Sequence, residues 1–340
     1  MGERKKDQMS RQKTRLLKRL FSVVGSLMLA SCLVSPGTAA DDLNVRFSYK
    51  LKGEYGFFFM GQAKGAYSDV GLTVKFGEGA SSQAALGGLL QGQDDLVVMP
   101  GIFAISAVQK GMPIKIIALY QPAAPTVLIS HSENPVATPK DLEGKTLATP
   151  VGETGTTYLG LFCEMNKVDC SKIKRVQIDV QARVAQFLAN RIDAIGAYTT
   201  NDLPILEERV GKKFTVLDQV KFGLAVPGLA IVASDAGLKT KKTVFKKFLS
   251  ATASAIGMTR AEPGGATLAL KSAWPNGPSD SVIRTQIENT TASIPVEAGK
   301  PAGWVEAKAI DEALKLIASV EDIGTPKPSS AFYTNDLLTP

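Results

Sequence analysis

Four acidic residues, Glu54, Glu78, Glu153 and Asp202, stand where a strand pattern gives way to the start of a helix. A carboxylate in such a loop accepts hydrogen bonds from amino groups, and the helix dipole favours an acid there even when nothing binds. Few bases oppose them, which suits a ligand bearing amino groups better than an oxyanion. Arg183, which opens a helix on the same edge, is the counterexample: it can neutralise an acid or clamp a carboxylate. No catalytic constellation accompanies the acids. The stretch Gly152-Glu-Thr-Gly-Thr-Thr157 can hold an anion on helix N–H groups but lacks the lysine of a nucleotide-binding loop. The chain has no G-x-S-x-G elbow and no H-E-x-x-H. His131, the sole histidine, sits beside Ser130 and Ser132 without an arguable third group. No Cys/His cluster has zinc spacing, and neither metal nor cofactor is called for.

The elements that must position these residues alternate in type. Asn44–Tyr49, Leu72–Phe76, Asp95–Met99 and Ile114–Tyr120 read as strands; Tyr55–Ala66, Gln83–Gln91 and Gly101–Gln109 read as helices between them. This rhythm predicts a mainly parallel sheet covered by helices on both faces. Pro122 and Pro125 punctuate the chain, and a second alternation follows. Its strands are Val127–His131, one within Leu142–Pro150, Arg175–Val180 and Ala194–Tyr198; its helices are Thr154–Met165, Ala182–Asn190 and Asn201–Val210. A strand from Val226 to Ala233 precedes a mainly helical remainder to Ala318, and the tail from Thr325 reads as extended. The expectation is an α/β chain of two lobes, residues 41–124 with 224–340 and residues 125–223. Ligands of open α/β sheets bind at strand carboxyl ends, so two such edges face to face make a cleft.

Residues 1–40 read as an export leader. Eight basic residues precede an apolar run, Phe21–Val34, too short to span a bilayer; Pro36 and the small residues Thr38-Ala39-Ala40 follow. Leu29-Ala30-Ser31-Cys32 also has the form of a lipobox, with Cys32 as the lipidated residue, so release and lipid anchoring are both open. The leader carries +6 of the chain's net +7. The remainder, close to neutral, gives no electrostatic support for nucleic-acid binding. In an oxidising compartment Cys163, near the end of a helix, and Cys170, just past its turn, can close a small loop; two free buried thiols are the alternative.

Several segments match a known family in order and spacing. Tyr55–Val74 (YGFFFMGQAKGAYSDVGLTV) resembles the fyvAldkGyfaeeGLdV segment of ABC-transporter periplasmic substrate-binding proteins, in the group serving nitrate, taurine, alkanesulfonates and thiamine-precursor pyrimidines. Glu78–Val98 (EGASSQAALGGLLQGQDDLVV) resembles its gss.alaALaaGqiDfg segment. Lys110–Lys115 (KGMPIK), Thr138–Gly152 (TPKDLEGKTLATPVG) and Ala185–Ile195 (AQFLANRIDAI) resemble kGvPvk, slkDLkGKtVgvp.G and aaLlaGqvDAa. The chain departs from the family at Thr200-Asn201-Asp202, where a WEP-like triplet is expected, and after about Ala233.

The resemblance implies a two-lobed periplasmic-binding fold of type II, no catalysis, and as partners a small-molecule ligand and an inner-membrane permease. A monomer is expected, closing about a hinge near Pro122–Thr126 and Phe222–Val226. An enzyme of the pyrimidine-synthesising kind, on the same type of fold, is the alternative from another class. The resemblance makes ligand candidates of residues on the cleft loops. Tyr55, Phe57 and Tyr198 are candidates to stack on a planar ligand. Ser81, Ser82, Thr154 and Thr156 are candidates to bind it or only to cap helices. Gly101, Arg183 and Asn201 complete the set with the four acids, and Asp202 is the sharpest expectation among them.

Overall fold

The computed structural model describes residues 40–150 and 153–338, so residues 1–39 of the expected leader, Cys32 included, lie outside the described residues, as does Gly152 of the Gly/Thr-rich loop. Two five-stranded sheets form. The first contains β1 (Asp41–Phe47), β2 (Leu72–Gly77), β3 (Leu96–Pro100), β4 (Ile114–Leu119) and β10 (Leu229–Ser234), in the order β2-β1-β3-β10-β4. The second contains β5 (Thr126–Ser130), β6 (Thr146–Ala148), β7 (Lys174–Val176), β8 (Ala194–Tyr198) and β9 (Thr215–Asp218), in the order β7-β6-β8-β5-β9. In each sheet a single strand runs against the others, β10 in the first and β5 in the second. Each is the first strand after the chain has crossed between sheets.

Central strands are apolar because helices cover both their faces. Leu96-Val97-Val98-Met99 of β3 is buried throughout, whereas β1 alternates, turning Leu43, Val45 and Phe47 inward and leaving Asp42 and Asn44 exposed. Helices Gly56–Ala63, Ser82–Leu90 and Gly101–Gln109 follow β1, β2 and β3. The helices Asp235–Thr240, Lys242–Ala261, Pro263–Ala273, Asp280–Ser293 and Ala307–Ala318 make the later part of the chain mainly helical, as expected. The tail docks on the free edge of β4: the Ile116 N–H donates to the Phe332 carbonyl at 2.9 Å and the Thr334 N–H to the Ile116 carbonyl at 3.0 Å.

Three local expectations differ from the structure. The four-residue β9 was not expected: it is a half-exposed edge strand following Lys212 and Lys213, with only Leu217 fully buried. The helix expected over Thr154–Met165 is two, Thr154–Thr157 and Leu159–Met165, because Tyr158 leaves helical geometry at φ −98°, ψ 22°. The strand expected over Arg175–Val180 stops at Val176, and Val180 opens a helix, Val180–Leu188. Cys163 and Cys170 are disulfide-bonded with Cα atoms 5.7 Å apart. Closing so small a loop stabilises by roughly 2–3 kcal/mol.

The chain crosses between sheets twice, over residues 120–125 and 219–228, and the crossings are bonded to each other. The Ala124 N–H donates to the Val226 carbonyl at 2.6 Å and the Gly228 N–H to the Gln121 carbonyl at 2.8 Å. Residues following β1, β2, β6 and β8 and the end of β3 line one shared cleft.

Candidate functional site

The first wall grows from the end of β1. Ser48 and Tyr49 leave the strand, and a single 3-10 turn, Gly53–Tyr55, leads into helix Gly56–Ala63. That turn sets the Glu54 carboxylate, only 4 % exposed, against the Lys52 ammonium, which also lies 5.2 Å from the centre of the Tyr55 ring. Burial by itself would depress the Lys52 pKa. The charge of Glu54 and the hydrogen bond it accepts outweigh burial and hold that pKa above the ordinary lysine value. Burial pushes the Tyr55 hydroxyl up to about 12, with Lys52 opposing. The Tyr55 ring stacks on Phe47 at 4.0 Å, so one face is covered by core and the cation lies close to the ring.

The second wall is built on the carboxyl ends of β6 and β8. Arg183, 5 % exposed on helix Val180–Leu188, directs Nη2 to the Gly196 carbonyl at 3.2 Å, to Asp202 Oδ1 at 3.7 Å and to Glu153 Oε1 at 3.8 Å. Glu153 Oε2 accepts from the Thr156 hydroxyl at 2.7 Å, and Asp202 Oδ2 accepts from the Tyr198 N–H at 3.1 Å. Burial is the main cause of a raised Glu153 pKa, with Arg183 and Thr156 pulling the other way and Asp202 adding to the rise. Gly196 makes the room: a Cβ there would lie 2.1 Å from Glu153 Oε1. Tyr198 is likewise raised by burial, against a hydrogen bond with Thr154.

Between the walls lies a cleft of about 540 Å³. Of the residues expected from sequence, Glu54, Tyr55, Ser81, Ser82, Glu153, Thr154, Arg183, Tyr198, Asn201 and Asp202 line it. Ser81 also caps helix Ser82–Leu90, its hydroxyl accepting from the Ala84 N–H at 3.2 Å. Four candidates stand elsewhere. Phe57 is in the core, its ring 4.2 Å from Phe58 and 5.5 Å from Tyr120, where it can stack on no ligand. Glu78 pairs with Lys50 at 3.2 Å and accepts from the Leu51 N–H at 2.7 Å, which fastens the loop behind the first wall. Gly101 backs the cleft, its N–H donating to the Gly228 carbonyl, and Thr156 reaches the site only through Glu153.

The structure corrects one expectation directly. The acids do not stand with few opposing bases: Glu54 holds Lys52, Glu78 holds Lys50, and Glu153 and Asp202 share Arg183. Among the described lining residues three carboxylates face two cations. Lys52, Tyr49, Ser48 and Gln121 line the cleft without having been expected. A lysine in a loop reads as solvated, and no sequence signal distinguishes Lys52 from Lys50. Among the described residues, no group of three or more His, Cys, Asp or Glu is arranged to hold a metal ion, and no helix is long and apolar enough to cross a membrane.

The NMT1/THI5-like family model matches residues 53–266, more than half of the chain and nearly all of both walls. The chain belongs to the NMT1/THI5-like family. No curated protein matches it. Solved structures show where this member's fold recurs. The periplasmic aliphatic sulphonate binding protein SsuA of Escherichia coli is similar with a TM-score of 0.65 at 16% identity, over 82% of this chain and 86% of that one. The alkanesulfonate-binding protein SsuA of Xanthomonas axonopodis pv. citri, bound to MOPS, gives 0.62 at 17%, over 86% and 98%. The periplasmic nitrate-binding protein NrtA of Synechocystis PCC 6803 gives 0.64 at 12%, over 88% and 87%. At these identities the likeness is one of fold: a two-lobed α/β architecture of the type II periplasmic-binding kind.

Proposed function

We propose that this family member is the solute-binding component of an ABC importer, exported by its leader to the periplasm, where it carries a small polar molecule to an inner-membrane permease without changing it. Lobes of residues 41–124 with 224–340 and of residues 125–223 enclose the ligand. The proposal draws support from the family, from the sulfonate- and nitrate-binding periplasmic proteins that share the fold, and above all from the charge balance of the cleft. Three carboxylates meet two cations, and both cations are already engaged by carboxylates. An oxyanion would have to take Lys52 or Arg183 from a buried partner. A ligand with a protonated amine or amino-substituted ring instead offsets the excess carboxylate and donates to its free lone pairs.

An amine-bearing planar molecule, such as a thiamine-precursor pyrimidine, is therefore the preferred ligand. Tyr198 is the expected residue whose ring is left to face it, since Phe57 is in the core and Tyr55 is covered. A sulfonate, nitrate or carboxylate is the second reading, favoured by the presence of Lys52 and Arg183 in the same cleft. Titration calorimetry of the chain from Asp41 onward, with an aminopyrimidine, taurine, an alkanesulfonate and nitrate, separates the two. Saturable heat with the aminopyrimidine, which is then recovered intact, supports the proposal. Binding of taurine or nitrate with no response to pyrimidines overturns the ligand class, and a chemically altered pyrimidine overturns the role.

A further inference from the structure

Helix Asp280–Ser293 is remote in sequence from both walls yet bonds to each. Its Ile283 and Ile287 are buried in the core of the first lobe, against the elements that carry Phe47 and Phe57. From the same helix Gln286, fully buried, uses both ends of its amide. Oε1 accepts from the Gly53 N–H at 2.9 Å in the first wall, and Nε2 donates to the Asn201 carbonyl at 2.8 Å in the second. One turn on, Asn289 Nδ2 donates to the Thr199 carbonyl at 2.8 Å. Between those carbonyls Thr200, also fully buried, turns its hydroxyl to Glu54 Oε1 at 3.3 Å. The segment Thr199–Asn201 is thus held by the first lobe at three consecutive residues, and Tyr198, Asn201 and Asp202, which it carries, line the cleft.

The approach is close by construction. A Cβ on Gly53 would lie 2.3 Å from Gln286 Cβ, so only glycine lets the amide reach the backbone of the first wall. Buried amide groups of this kind are costly to leave unpaired, which makes the bridge a two-state feature: both bonds made with the walls together, or the group returned to water. A lobe pair joined only by the crossings at residues 120–125 and 219–228 would swing freely about them. Here helix Asp280–Ser293 adds attachments on a different element: Gln286 and Asn289 hold the backbone of Thr199–Asn201, and Ser279 and Ser281 reach Glu208.

We propose that Gln286 and Asn289 are positioning residues that set the resting aperture of the cleft by gripping the backbone of Thr199–Asn201, so that the unliganded chain rests with its walls together. This goes beyond the solute-binding reading and depends on no ligand. The test is therefore made on the ligand-free protein. Gln286→Glu with Asn289→Asp keeps an acceptor for the Gly53 N–H but turns oxygen toward the Asn201 and Thr199 carbonyls, which repels where the parent bonds. The reporters are backbone amides already protected by hydrogen bonds: Thr199 to the Pro125 carbonyl at 3.2 Å, Asn201 to the Tyr198 carbonyl at 3.2 Å and Tyr198 to Asp202.

Hydrogen exchange at these three amides is expected to quicken tenfold or more while exchange in β3 and at Ala194–Ala197 of β8 is unchanged, and the radius of gyration by X-ray scattering is expected to rise. Unchanged exchange, or a uniform increase through both lobes with an unaltered radius, overturns the proposal and reduces the two amides to ordinary packing. Asn289→Ala, at a half-buried position, is read by the same two measurements and decides the matter should the double variant not fold.

Discussion

Replacing Gly196 by alanine places a methyl group 2.1 Å from Glu153 Oε1, 2.7 Å from its Cδ and 2.8 Å from Oε2. None of these separations is tolerable. The backbone of Gly196 cannot yield, because β8 is an interior strand and Gly196 stands opposite Leu128 of β5. The carboxylate, the mobile end of its side chain, must move, and the cleft is the open space beside it. Withdrawal breaks the 2.7 Å bond from Thr156 and parts Glu153 from Arg183. One charge-assisted hydrogen bond is worth about 1.5–3 kcal/mol. Rehydration offsets part of this, since burial was already pressing against the charge, so the expected loss of stability is about 1–2 kcal/mol. Loss of a carboxylate contact to a ligand amine weakens binding by about 1.5–3 kcal/mol, ten- to a hundredfold.

Denaturant unfolding measures the first quantity and calorimetric titration with an aminopyrimidine the second. The decisive arm is the cycle with Glu153→Ala: if the methyl group acts only by evicting the carboxylate, it costs little once the carboxylate is gone. A Gly196→Ala protein with parental stability and affinity, or one whose defect persists in full beside Glu153→Ala, would show that Gly196 does not hold the space for the Glu153 carboxylate.

Other consequences follow from the same contacts. Asp202→Asn keeps an acceptor for the Tyr198 N–H and removes only charge; amine-ligand affinity should fall ten- to a hundredfold, and parental affinity with a lower melting point would make the acid structural. Lys52→Met strands Glu54 in the interior and should cost roughly 3 kcal/mol by denaturant unfolding, with most of it restored by adding Glu54→Gln. For Glu153, whose pKa is raised in the folded chain above its ordinary 4.5, the folded state binds more protons than the unfolded one across that interval. Its contribution is therefore full below 4.5 and lost as pH rises through the folded value. The stability of Glu153→Gln relative to the parent should accordingly increase with pH over that window, and thermal melts showing a flat or falling difference would contradict the burial argument.

The sequence was most legible where local chemistry settles local structure. The alternation of apolar runs with helical segments foretold two mainly parallel sheets, and strand-to-helix loops at carboxyl edges foretold the places of Glu54, Glu153, Tyr198 and Asp202. Partnership was not legible. Lys52 and Lys50 are near neighbours on one loop, yet one is drawn against a buried carboxylate and the other is exposed, a difference set by how the turn at Gly53–Tyr55 packs. Phe57 lies two residues beyond Tyr55, and the roughly 200° of helical rotation between them takes it from the cleft to the core. β9 escaped notice because a short half-exposed edge strand carries almost no apolar pattern. Gln286 and Asn289 lie on a helix with no family motif, and their amides acquire meaning only when Gly53, Thr199 and Asn201 arrive from elsewhere.

Native mass spectrometry of the chain purified from its native host is the sharpest test of the proposed solute-binding role. A single small adduct is expected, released unaltered on unfolding, with a fragmentation pattern that contains an amino-substituted ring, and lost from the Gly196→Ala and Asp202→Asn proteins. An adduct that is a sulfonate or nitrate, or one retained in full by both variants, would contradict this expectation.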